Sequence, residues 1–390
     1  MTRPLRLFYI AGEASGDRLG APLISALRAR RPIEIAGVGG EQMEAAGLAP
    51  LFPSTDLAVM GLVEVLPRLP TLLRRLRQTV QAVEAFRPDA LVTIDSPAFS
   101  LRVARRAKAA RPDLRTIHYV APSVWAWRPG RAKEMAAYID HVLALLPFEP
   151  PYMTAAGMTC DFVGHPVAAL TRPAETEVEA FRRDAVGEGP LLCLLPGSRA
   201  GELRRLADPF REALAALADR SPGLRATLPA APGIADAAEA YAATLPVPTT
   251  VVDPRGKAPA AAERAKFTAM AASDVALAAS GTVSLELAAL GTPQVIGYRV
   301  SGLTAAIARR LLRIDTATLV NLLVDARPVP EFLQDGLDPS AMAEALSRLL
   351  SDDAARKAQT DAFEAALAAL GRGGAPPPER AADSLLAALD

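Results

Sequence analysis

The chain has 390 residues, half of them hydrophobic and about a fifth charged, with 43 basic side chains balancing 43 acidic ones. That length exceeds what one hydrophobic core usually covers, so two α/β domains are expected, and the composition excludes a disordered chain. Zero net charge argues against nucleic acid as the main partner, because neutralising phosphates demands a basic surplus.

Met1 to Arg6 run straight into an apolar strand pattern, Leu5–Ile10, with no signal-peptide layout. Further short apolar runs follow at Ile33–Val38, Ala90–Ile94, Arg115–Val120 and Val142–Leu146. Between them lie segments of helical period, Ala21–Arg30, Leu69–Phe86 and Leu101–Ala110. This is the β-α-β rhythm of a parallel sheet covered on both faces. After a polar, charged stretch, Val167 to Glu188, the rhythm resumes at Leu191–Leu195, Leu224–Leu228, Thr249–Val252, Asp274–Ala278 and Pro293–Tyr298. The boundary is placed near residue 168, giving domains 1–168 and 169–370, both Rossmann-like. Gly371, Gly373, Gly374 and Pro376–Pro378 then make a linker over the start of segment 371–390. The short apolar helix after it, Ala381–Leu389, cannot stand alone, so it docks on the N-terminal domain or on a second subunit of a homodimer. Cys160 and Cys193 are far apart in apolar surroundings, which excludes a disulfide scaffold and a cysteine zinc site and fits a reducing compartment. No run reaches the roughly 18 to 20 apolar residues of a spanning helix, so the chain is expected to be soluble or peripheral.

In the first half, Gly12, Glu13, Ser15, Gly16 and Asp17 follow the first strand. Glu13 and Asp17 would repel a bare phosphate, so this loop suits sugar hydroxyls or the orientation of a base. The spacing Gly12, Gly16, Gly20 does not make the dinucleotide fingerprint. Asp95 ends a strand where a general base would sit; the structural alternative is an Asx turn or a helix cap. Ser123, Trp125 and Trp127 lie in a loop that suits stacking on a sugar, or else the tryptophans anchor a core. His118, His141 and His165 are scattered and more in keeping with structure than with catalysis. The segment Leu62–Arg77 mixes apolar residues with Arg68, Arg74, Arg75 and Arg77, with Arg102, Arg105, Arg106 and Lys108 as an extension. That mixture suits an anionic bilayer surface, or an ordinary amphipathic helix with a solvated basic face.

In the second half, Leu195-Pro196-Gly197-Ser198-Arg199 joins a strand to a helix, with Gly201 and Glu202 in its first turn. Backbone N–H groups, the helix dipole and an arginine fork make an anion site there, although the ending of a Walker A loop is absent. Ser280, Gly281 and Thr282 repeat the arrangement, and Glu286 is placed to accept from ribose hydroxyls; the alternative is a capping box. Two such turns in one domain favour a nucleotide over either alone. Asn321 can bond a base or phosphate and Gln334 can cap an opening, or both are plain helix-surface residues.

Taken in order, AGEASGD (Ala11–Asp17), GVGGEQM (Gly37–Met43), LAVMGLVEVL (Leu57–Leu66), PSVWAWR (Pro122–Arg128), LPFE (Leu146–Glu149), FVGHP (Phe162–Pro166), LPGSR (Leu195–Arg199) and ASGTVSLE (Ala279–Glu286), with Asn321 and Pro330–Gln334, make a chain-long pattern. It resembles the lipid A disaccharide synthases. The resemblance implies an α/β, GT-B-like fold of two Rossmann-type domains, their parallel sheets facing an interdomain cleft. It implies inverting transfer of 2,3-diacylglucosamine from its UDP conjugate to 2,3-diacylglucosamine 1-phosphate at the cytoplasmic face of the inner membrane. No cofactor and no metal are expected. Asp95 is the first choice for base and Glu13 the second; Gly197–Arg199, Ser280–Thr282, Glu286, Asn321 and Gln334 are assigned to UDP. Val59, Met60, Leu62, Val63, Leu66, Leu69, Leu72 and Leu73 are assigned to the acyl chains and membrane. The sequence departs from the family pattern Asp-Ala-Pro-Asp-Phe-Asn, reading Asp95-Ser96-Pro97-Ala98-Phe99-Ser100, which leaves the second acid and the Asn without counterparts. Rival readings are another UDP-N-acetylglucosamine transferase or 2-epimerase, a nicotinamide oxidoreductase, and a non-catalytic UDP-sugar sensor.

Overall fold

The structure, a computed structural model, describes residues 3–57, 62–300 and 314–390, and only the backbone of 62–67. The chain divides into two compact units, Met1–Ala169 with Gly373–Asp390, and Leu170–Arg372. Among the described residues each unit carries one six-stranded, all-parallel sheet.

In the first unit the strands are β1 (Leu5–Ala11), β2 (Ile33–Val38), β3 (Ala90–Ile94), β4 (Arg115–Tyr119), β5 (His141–Ala144) and β6 (Thr159–Phe162), in the order β2-β1-β3-β4-β5-β6. Alternate residues of β1 serve opposite cores: Phe8 and Ile10 on one face, Leu7, Tyr9 and Ala11 on the other. Both faces are covered, so the inner strands read as unbroken apolar runs. The second unit holds β7 (Leu191–Leu195), β8 (Arg225–Pro229), β9 (Thr249–Val252), β10 (Val275–Ala278), β11 (Gln294–Tyr298) and β12 (Glu331–Leu333), in the order β12-β11-β10-β7-β8-β9.

Two strands escape the sequence reading, β6 and β12. Both are sheet edges with half-exposed residues, so neither shows the apolar run of an inner strand. Three helices start earlier than expected, at Ala14 rather than Ala21, at Leu62 rather than Leu69 and at Pro377 rather than Ala381. Pro22 in the first, and Pro67 and Pro70 in the second, lie inside the helices, since a proline removes one helical hydrogen bond without always ending the helix.

The last helix, Pro377–Ala387, packs in the first unit, with Ala381, Ala382 and Leu385 buried beside Leu23, Ile24 and Leu27. Polar contacts fix its register. Arg30 pairs with Glu379 and Asp383, Arg380 donates to the Phe162 carbonyl, and the Ser384 hydroxyl donates to Asp161 while bonding His141 Nε2 at 2.8 Å. Leu385→Ala is expected to destabilise the first unit by ~2–5 kcal/mol, the cost of a buried leucine truncation. Urea unfolding followed by circular dichroism would show it as an earlier transition.

Candidate functional site

In an open parallel sheet, crossovers leaving two neighbouring strands in opposite directions open a crevice at the strands' carboxyl ends. In the first unit that point lies between β1 and β3, where Ala11 pairs with Ile94. The loop Gly12–Glu13 leaves one strand and Asp95 leaves the other. The Ser15 hydroxyl donates to Asp95 Oδ2 at 2.8 Å. Asp95 and Ser96 both adopt left-handed backbone, φ +49 and +45, conformations that cost non-glycine residues energy and gather at functional sites. They are held by the Asp95 N–H to the Tyr119 carbonyl and by the Ser100 hydroxyl to the Asp95 and Ser96 carbonyls. The helix-cap alternative for Asp95 fails, since Phe99 occupies the cap of Ser100–Ala110. A Cβ on Gly12 would stand 2.8 Å from the Ser96 hydroxyl, so only glycine lets the two turns approach this closely. Glu13 is half-buried at the start of Ala14–Arg30.

Asp17 departs from expectation. Its carboxylate is buried and accepts the Gly40, Gln42 and Met43 N–H groups at 2.9–3.0 Å. It caps the short helix Glu41–Ala45, its carboxylate buried and directed at those three N–H groups. His118 is buried behind Asp95 with Nδ1 2.8 Å from Thr93 Oγ1. Burial pulls its pKa down to about 4 against the opposing pull of Asp95, so the imidazole is neutral near pH 7. His165 is half-buried, enough to pull its pKa down to about 4, and its Nδ1 accepts the Val167 N–H.

The two tryptophans divide between the alternatives. Trp125 is an anchor: its indole N–H donates to Glu149 Oε1 at 3.2 Å and its ring meets Phe148 edge-on at 5.1 Å. Trp127 is exposed, with the Arg128 guanidinium 4.8 Å over its ring. Ser123 is exposed, and its carbonyl accepts the Ala126 and Trp127 N–H groups. Glu149, to which the sequence reading gave no role, holds this loop. Its Oε2 accepts the Leu145 and Leu146 N–H groups at 3.1 and 3.0 Å. Burial nevertheless outweighs those three donors and pushes its carboxyl up to about 7.

The basic-apolar segment is only partly as expected. Val59 and Met60 lie outside the described residues, and so do the side chains of Leu62, Val63 and Leu66. Leu69 and Leu73 are exposed, with Arg68, Arg74 and Arg77 exposed around them, whereas Leu72 packs against the core. Arg75 does not belong to a free basic face: it pairs with Asp56, bonds Gln78 and lies 4.5 Å over the Phe52 ring. Lys108 also drops out, paired with Asp140, while Arg102, Arg105 and Arg106 are exposed. Among the described residues no helix is long and apolar enough to cross a membrane.

In the second unit the corresponding point lies between β7 and β10, where Leu195 pairs with Ala278. It brings together the turns Pro196–Arg199 and Ala279–Thr282. Gly197 has φ +113, and a Cβ there would strike Glu202. The Ser198 N–H donates to Glu202 Oε2 at 3.0 Å and Arg199 Nη1 lies 3.2 Å from Oε1. The Glu202 carboxylate thus takes the donors an anion would use. Thr282 caps Val283–Leu290 without its side chain, so the capping-box alternative fails, and Glu286 pairs instead with Lys266. The Ser280 hydroxyl donates to the Ala317 carbonyl at 2.6 Å, so it is committed to the scaffold. Asn321 is a correction. It is fully buried, and both ends of its amide bond the Val329 backbone, at 2.9 and 3.0 Å, so it braces the chain ahead of β12 instead of lying on a helix surface. Gln334, left-handed at φ +53, ends β12 and accepts from Val300 and Arg299 across to the β11 end.

Two parallel six-stranded sheets with loop sites at their carboxyl ends define the fold of GT-B glycosyltransferases and UDP-N-acetylglucosamine 2-epimerases. The UDP-GlcNAc 2-epimerase of Neisseria meningitidis, bound to UDP-GlcNAc, superposes with a TM-score of 0.63 at 12% identity, over 98% of this chain and 99% of that one. The calicheamicin glycosyltransferase CalG4 superposes at 0.56 and 18% identity, over 100% and 99%. At such identities these neighbours speak for the fold alone. The family model LpxB, lipid-A-disaccharide synthetase, matches residues 7–381. The lipid-A-disaccharide synthases of Ruegeria pomeroyi and Rhodospirillum centenum are 53% and 46% identical, each over 98% of this chain and 95% and 94% of theirs. The chain belongs to the lipid-A-disaccharide synthase family, glycosyltransferases of lipid A biosynthesis.

Glu149 supplies a pH test. Its folded pKa, about 7, lies above the ordinary 4.5, so the folded state favours the neutral acid. Its contribution to stability is therefore greatest below about pH 4.5 and declines as the pH rises to 7. Glu149→Gln is expected to abolish that decline. Tryptophan emission, which reports only Trp125 and Trp127, should titrate near pH 7 in the wild type and stay flat in the variant.

Proposed function

We propose that the chain transfers 2,3-diacylglucosamine from UDP-2,3-diacylglucosamine to the 6-hydroxyl of 2,3-diacylglucosamine 1-phosphate. The products are the β-1,6-linked disaccharide 1-phosphate and UDP. Family membership supports the reaction, and the observation that carries the residue roles is the Ser15–Asp95 hydrogen bond at the β1/β3 switch point. Asp95 takes the proton of the 6-hydroxyl as its oxygen attacks the anomeric carbon from the face opposite UDP. The carbon–oxygen bond to UDP breaks, and its electron pair leaves on the diphosphate. The Gly197–Arg199 turn and the Ser280–Thr282 N–H groups stabilise that developing charge. For this, the Glu202 carboxylate gives up Ser198 and Arg199 to the diphosphate. Glu286, neutralised by Lys266, accepts from the ribose hydroxyls. Ser15 holds Asp95, and Glu13 is the alternative base. The exposed Leu69 and Leu73, ringed by Arg68, Arg74 and Arg77, hold the enzyme to the cytoplasmic face of the inner membrane and receive acyl chains.

UDP release from the diacylated donor in detergent micelles with EDTA tests the reaction: it should depend on the acylated 1-phosphate acceptor. Release without acceptor, or none at all, would discard it. Asp95→Asn is expected to lower kcat by roughly 10²–10⁴-fold, the usual worth of a general base; a loss of only a few-fold would move the role to Glu13. Changing Arg68, Arg74 and Arg77 together to Glu should abolish flotation with anionic vesicles, and unchanged flotation would dismiss the patch.

A further inference from the structure

The acceptor proposed above carries a phosphate on its anomeric oxygen, one sugar ring away from the hydroxyl that reacts. That dianion needs cations on the same sheet edge as Asp95. The loop after β1, Gly12–Glu13, cannot supply them, because its own titratable group is Glu13. The next strand can. The Asp95 N–H bonds the last residue of β4, Tyr119, and from there the chain enters the loop Val120–Arg128 and the short helix Gly130–Met135.

We infer that Arg128 and Arg131 form the acceptor's phosphate site, with Trp127 as the platform beside it; the inference rests on the reading of the acceptor given above. Arg131 and Asp95 both act on the buried His118 ring, the guanidinium opposing its protonation and the carboxylate favouring it. The two therefore lie within electrostatic reach of one imidazole. Arg128 is exposed, stands at φ +49 and is laid over the Trp127 face. A left-handed arginine is a strained choice for a plain loop.

Neither arginine has a carboxylate partner among the described residues, a state they share with the exposed Arg68, Arg74, Arg77, Arg102, Arg105 and Arg106 of the same unit; what sets them apart is their place in the loop and helix that follow β4, with the Arg131 N–H bonded to the Arg128 carbonyl. Glu134, three residues beyond Arg131 in the same helix, forms no ion pair with it. Both guanidinium forks are left to a ligand, and a planar fork matches phosphate oxygens in pairs. The loop is also built in advance. Glu149 grips Trp125 from one side and the Leu145 and Leu146 N–H groups from the other, so little ordering remains to be done on binding.

The test compares two acceptors across three forms of the protein, the wild type and two single variants. Arg128→Gln and Arg131→Gln, each in the full chain, are assayed with 2,3-diacylglucosamine 1-phosphate and with the same sugar lacking the phosphate. The expected result is an acceptor KM raised roughly 10- to 100-fold for the phosphorylated sugar, the loss of a charge-assisted hydrogen bond. The donor KM should not change, and with the dephosphorylated sugar the variants should match the wild type. Equal losses on both acceptors, or a raised donor KM, would overturn the inference. So would reduced flotation on anionic vesicles with an unchanged acceptor KM, which would assign the arginines to lipid headgroups. A wild type that releases no UDP with the phosphorylated acceptor would remove the underlying reading itself, a failure visible before any variant is made.

Discussion

Everything of chemical interest in this molecule depends on where a parallel sheet changes the direction of its crossovers. Parallel strands return through helices, and both faces must be covered. The helices after β1 and β3, and after β7 and β10, therefore diverge to opposite faces and leave the strands' carboxyl ends uncovered between them. Short turns there expose N–H groups that no helix or strand satisfies. The Gly12 and Asp95 turns occupy one such point, the Gly197 and Gly281 turns the other.

What distinguishes the two points is the sign of the groups gathered there. The first collects carboxylates, with Asp95 tethered by Ser15 and backed by a neutral His118. That environment suits neutral hydroxyls and proton abstraction. The second collects donors: the Ser198 N–H, the Arg199 fork and the Ser280–Thr282 turn. Glu202 lies across Ser198 and Arg199, its carboxylate bonded to both.

Several polar side chains near these points serve the scaffold. Asp17 caps a helix, Asn321 braces the strand ahead of it, and Glu149 secures the tryptophan loop. All three are buried, and a buried polar group without partners is expensive, so each is bound to its neighbours. Sequence reasoning placed the first two at the ligand because residue type and position along the chain are the same for a polar group that braces a loop and one that faces out of it. Glu149 went unassigned for the same reason. Its partners are the Trp125 indole, 24 residues away, and two N–H groups just upstream, and only the fold brings them to one carboxylate.

The alternation of apolar runs with helical periods, the small-residue turns after four particular strands and the acid at the end of β3 were all determined by the amino-acid sequence alone. Each is a local property, legible from spacing and side-chain chemistry. Edge strands β6 and β12, the division of labour between Trp125 and Trp127, and the neutralisation of Arg75, Lys108 and Glu286 by ion pairs were decided by tertiary structure. Exposure at a sheet edge, burial, and the identity of a charge's partner all belong to residues far apart in the chain, and only folding brings those residues together.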